Sequence, residues 1–222
     1  MSFYLSKLIL EGEHQQQDFK YCISDSKKIA KSLVAFANTD GGRLLIGVKD
    51  NGNITGVRSE EEYYMVESAA KIYSKPEIDF TTQQHFIDGK TVLEAIIKSS
   101  KNKPHFAKND DGRWIAYYRK DDENKLANRI MIEVWKKEKR KDGIFLNYSN
   151  SEQFLLDYLD KNETISQSAF TRKAQISYRE AERIISDFIV LGILEIRTPE
   201  KKIIYAISEN FDRDEWNIEK IR

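Results

Sequence analysis

Residues 31–57, KSLVAFANTDGGRLLIGVKDNGNITGV, limit the possible folds more than any other stretch, because each local signal in them agrees with the next. Leu33, Val34, Phe36 and Ala37 form one apolar stripe of a helix, and Asn38 is a residue type that tolerates the left-handed conformation at a helix end. Gly41 and Gly42 turn the chain. Leu44, Ile46 and Val48 then alternate with Leu45, Gly47 and Lys49, the period of a strand with one face on a core. Asn51-Gly52 supplies the positive φ angles of a tight hairpin, and 54–57 is the return strand.

The flanking sequence extends this pattern. A strand is predicted in DFKYCI, with Asp18 and Lys20 on one side and Phe19 and Tyr21 on the other, followed by a helix from Lys27 capped within 24–26. Residues 60–74 read as a helix ended by Pro76, and 78–87 and 91–98 as strands joined through Asp88-Gly89. A strand at 113–119 and a helix at 124–139 follow. Together these give an α+β domain over 1–142, bounded by Asp142-Gly143. Residues 143–222 change character. Three short helices, the second capped by Ser166 and the third by Ser177, precede two strands at 193–197 and 203–207, the order of a winged helix-turn-helix.

Composition removes several classes. Among 222 residues, 36 basic and 36 acidic side chains cancel, so any polyanion must be held by local patches. A single cysteine, Cys22, excludes an internal disulfide and a cysteine zinc cluster. No run is long enough to span a membrane and the first residues turn polar too soon for a secretory signal, so a cytoplasmic protein is expected. His14, His85 and His105 lack metal-ligand spacing, and Gly41-Gly42-Arg43-Leu44 lacks the lysine and hydroxyl of a phosphate-binding loop, which argues against ATP hydrolysis.

Glu13-x4-Asp18-Phe19-Lys20, AFANTDGG at 35–42 and IGVKDNGNITGV at 46–57 together resemble the Schlafen/AlbA-like family, a family read as DNA-binding and also labelled divergent AAA. The resemblance spans about 10–132. It implies nucleic-acid binding, with no cofactor required. Nuclease members use three acids, and the motif matches place them at Glu13, Asp18 and Asp50, where magnesium or manganese would activate water. Asp18 departs from the glutamate usual there, and this chain carries one such lobe where active relatives build a trough from two. A metal-dependent endoribonuclease is therefore the alternative, and a protein-interaction module a third reading.

Candidate phosphate contacts in the first domain are Lys20, Lys101, Lys103, Arg113 and Arg119, with Phe106 and Trp114 as aromatics for stacking or for the core. In the second domain Tyr178, Arg179 and Arg183 fall on the outward side of the third helix, Arg172 and Lys173 on the second, and Lys201 and Lys202 at the wing tip. The expectation is a DNA-binding transcriptional regulator, DNA favoured over RNA. It would act as a homodimer, because operators mirror protein symmetry.

Overall fold

A computed structural model describes residues 3–140, 143, 148–199 and 202–212. The chain divides into two compact units, Met1–Ala127 and Asn128–Arg222.

The first unit contains α1 (Phe3–Glu11), β1 (Gln17–Lys20), α2 (Ser26–Asn38), β2 (Gly42–Ile46), α3 (Glu61–Lys71) and β3 (Ser74–Lys75). It continues through β4 (Phe80–Ile87), β5 (Lys90–Ile97), β6 (Phe106–Lys108), β7 (Trp114–Ile115), β8 (Tyr117–Lys120) and β9 (Glu123–Leu126). A four-stranded sheet in the order β1-β2-β5-β4 is the frame, parallel between β1 and β2 and antiparallel elsewhere. Its register sorts the side chains. Leu44 opposite Ala95 and Ile46 opposite Leu93 face the core beneath α2 and α3, whereas Leu45 and Val92 face Leu5 and Leu8 of α1. The central strand is thus covered on both faces, not one, because an N-terminal helix that the sequence hid among short apolar runs packs on the far side. Burying Leu5 and Leu8 contributes about 2 kcal/mol each.

Local chemistry explains the turns. Asp25 caps α2 by accepting from the backbone N–H of Lys27, and Asp88 and Gly89 both take positive φ, as their hairpin requires. Gly41 has φ +74°, and a Cβ there would lie 2.7 Å from the Ile97 carbonyl oxygen; at Gly42 it would lie 2.5 Å from the Phe36 ring. Close packing accounts for the double glycine. Asn38 is not left-handed; it ends α2 with a buried side chain that donates to the carbonyls of His105 and Tyr117 and accepts from the His105 N–H. Gln15 holds a second junction, its amide donating to the Arg119 carbonyl (3.1 Å) and accepting from the Asp121 N–H (2.8 Å).

Two expectations fail in 113–139. The stretch 113–119 is two strands in separate sheets, β7 joining β3 and β6, and β8 pairing with β9. Residues 123–126 form that return strand, with Asp121 at φ +56° in the turn, so the helix begins only at Arg129, capped by Asn128.

The second unit comprises α4 (Arg129–Glu138), α5 (Asn150–Lys161), α6 (Gln167–Ala174), α7 (Tyr178–Val190), β10 (Leu194–Arg197) and β11 (Ile204–Ile207). Ser149 and Glu152 form a capping box on α5, while Ser166 and Ser177 cap α6 and α7 as their sequence signals. Gly192 at φ +74° follows α7, and β10 and β11 pair antiparallel. The units part between Ala127 and Asn128, not at 142, of which the sequence gives no sign; Asp142 itself lies outside the described residues. The physical reason is α4, whose Ile130 and Val134 enter one core with Ile184, Ile185 and Phe188 of α7. No helix among the described residues is long and apolar enough to cross a membrane.

Candidate nucleic-acid interface

Of the three acids, Glu13 and Asp18 meet and Asp50 stands apart. Asp18 on β1 is only 4% exposed, which a carboxylate tolerates only if its charge is matched. Lys20 reaches one oxygen (2.8 Å), which Ser32 Oγ also approaches (3.2 Å), and Arg119 lies 3.6 Å from the other. Glu13 accepts from the Phe19 N–H (2.8 Å). Burial, then the hydrogen bond with Asp18, pushes the Glu13 carboxyl above its ordinary value. Asp50 is exposed on the turn after Val48. Among the described residues no group of three or more His, Cys, Asp or Glu side chains could hold a metal ion. The expected metal set does not assemble, because cations of the protein itself occupy the buried acid. No step through magnesium or manganese follows from these residues.

The cations expected to grip phosphate divide similarly. Arg119 is buried, donating to the Gln17 carbonyl (3.1 Å) and to Asn124 (3.0 Å) with its guanidinium over the Phe36 ring, so it braces the sheet and has no surface to offer a ligand. Lys20 is committed to Asp18, and Lys103 donates to the Thr39 carbonyl (3.1 Å). Lys101 and Arg113 are exposed. In the second unit Arg183 bridges the buried Glu152 (2.7 Å) and Asp187 (3.3 Å), so it is a structural cation on a helix expected to read bases. Tyr178, Arg179, Arg172 and Lys202 are exposed, as is Lys173, whose ammonium lies over the Tyr158 ring; Lys201 lies outside the described residues.

Two arrangements were not legible in the sequence. Trp114 on β7 is 40% exposed, with the ammonium groups of Lys75 and Lys108 at 6.0 and 5.9 Å from its ring centre. Pairing in the order β3-β6-β7 brings them together, Lys108 directly opposite Trp114, and two-residue strands carry no period from which that pairing could be read. Likewise exposed Tyr21 has Lys49 (5.4 Å) and Arg58 (5.8 Å) over its ring, and Arg58 also donates to its hydroxyl. Here the only signal was that both cations sit near the hairpin after β2.

The family model described as Schlafen, AlbA_2 matches residues 13–128, more than half of the chain. The chain belongs to the Schlafen/AlbA_2 family. The matched span begins at Glu13 and ends at the junction between the two units, so the Schlafen/AlbA_2 domain holds the acid pair, Tyr21 and Trp114 with their cations, and the double glycine. Among solved structures, a Corynebacterium diphtheriae protein, DIP2311, is similar at 17% identity and TM-score 0.45 over 78% of this chain. This chain spans about a third of that protein's length (32%). The N-terminal domain of a protein from Nitrosomonas europaea described as RecG-related is similar at 22% identity and TM-score 0.38, over 56% of this chain and 94% of that one. None of the curated proteins compared matches the chain.

Proposed function

We propose that the chain is a nucleic-acid-binding protein, specifically a DNA-binding transcriptional regulator that works as a homodimer. The Schlafen/AlbA_2 domain holds phosphates and an unpaired base, and the second unit is a winged helix-turn-helix. Trp114 with the ammonium groups of Lys75 and Lys108 at 6.0 and 5.9 Å from its ring centre carries this reading, because an exposed indole beside two ammonium groups suits a base face with its phosphates close by. The winged-helix part rests on three capped helices followed by an antiparallel hairpin, with Ser177, Tyr178 and Arg179 exposed at the start of α7. Arg183 is left out of the reading surface because Glu152 and Asp187 already hold it.

Fluorescence anisotropy with labelled single-stranded and duplex DNA tests the proposal. Trp114→Ala should weaken single-strand binding about tenfold or more, since one stacked base contributes roughly 1–3 kcal/mol. Replacing Lys75 and Lys108 with Ala should reduce the salt slope by about one per lost phosphate contact. Arg179→Ala should weaken duplex binding. Unchanged affinity in all these variants would overturn the proposal.

A further inference from the structure

The four-stranded sheet has two outer strands, and the protein treats them differently. On β1 the outward backbone groups are sealed by side chains: Arg119 donates to the Gln17 carbonyl and Glu13 accepts from the Phe19 N–H. On β4, among the described residues, pairing is found on the β5 side only. Its eight residues, FTTQQHFI, include no Asp, Glu, Lys, Arg or Pro in a chain whose residues are 32% charged. Charge, proline, a bulge or a cover are the devices that keep a free edge from pairing, and among the described residues of the first unit β4 shows none of them. Thr81, Thr82, Gln83 and Gln84 are exposed in succession, and Phe86 is 72% exposed.

We propose that β4 is the surface through which two copies of this chain associate, pairing antiparallel with itself across a two-fold axis to give one continuous sheet. A second copy is the fitting occupant because the strand is uncharged and close to symmetric in composition, so self-pairing brings no like charges together. Opposed residues in an antiparallel pair share a face, and an axis at Gln83 therefore sets Thr82 against Gln84 and Phe80 against Phe86. Phe86 of one copy then lies against Phe80 of the other, beside Tyr63, whose ring centre is 6.3 Å from that of Phe80. Exposed Tyr64 flanks the same groove, with Thr82 and Gln84 in its wall. Since the β1 edge is sealed, this pairing closes at two copies and does not propagate into fibres.

Sedimentation of the full chain over a concentration series tests this. The wild type should show a concentration-dependent mass approaching two chains, and Gln83→Lys, which opposes two lysines at the axis, should raise the dissociation constant about tenfold or more. Gln83→Cys on a Cys22→Ser background should form a disulfide-linked dimer on oxidation, because axial Cβ atoms come within reach of a disulfide, while Arg113→Cys on that background should not. A wild type of single-chain mass at every concentration would overturn the proposal. So would a dimer indifferent to Gln83→Lys that fails to cross-link through position 83. Neither outcome depends on DNA binding.

Discussion

Glu13 and Asp18 are a pair of carboxylates governed by burial. The proton affinity of Glu13 is raised in the folded chain, so its contribution to stability is fully present below the ordinary carboxylate value of 4.5 and is lost as pH rises through the raised value. Glu13→Gln should therefore flatten the rise in unfolding free energy on acidification across that window. At neutral pH it should stabilise by up to about 1 kcal/mol, since the amide can donate to Asp18 and still accept from the Phe19 N–H. Chemical denaturation at a series of pH values checks this, and an unchanged pH slope would show that burial does not raise the proton affinity of Glu13. Manganese should leave the thermal midpoint of the wild type unchanged, because Lys20 and Arg119 already match the charge of Asp18. The spacing from Glu13 to Asp18 was legible in the sequence. The neutralising Arg119 was not, because it arrives from a strand about a hundred residues on, and an isolated arginine carries no mark of inward direction.

At the scale of elements, existence and type were easier to read than partnership. The caps at Ser166 and Ser177 and the hairpin at Asp88-Gly89 are local chemistry, and the structure has them where the residues point. The assignment of α4 went to the wrong neighbour because periodicity shows that a helix has an apolar face without showing what covers it. In the structure α4 lies on α7, and Lys137, buried there, donates to Asp187 (2.8 Å), Ser186 (2.5 Å) and the Arg183 carbonyl (3.3 Å). Removing that ammonium leaves a buried carboxylate with Arg183 alone, so Lys137→Ala should cost about 3 kcal/mol by chemical denaturation. Arg183→Ala should likewise lower stability and, under the proposed function, change DNA affinity little, the reverse of Arg179→Ala. That contrast separates a brace from the proposed reader on one helix.

For the whole molecule, the division between Ala127 and Asn128 has a direct consequence for truncation. A fragment ending at Ala127 keeps both hydrophobic clusters of the first unit and should elute as a folded, discrete species. One ending at Asp142 retains α4 without the core that takes up Ile130 and Val134, and should aggregate on heating or bind a hydrophobic dye. Size-exclusion chromatography of the two fragments distinguishes the boundaries; equal behaviour would refute the one at Ala127. The clasp made by Gln15 works at long range as well. By bonding to Arg119 and Asp121 it fastens the place where the polypeptide enters β1 to the place where it leaves β8. Two stretches about a hundred residues apart along the chain are thereby riveted, so neither can peel away without loosening the other.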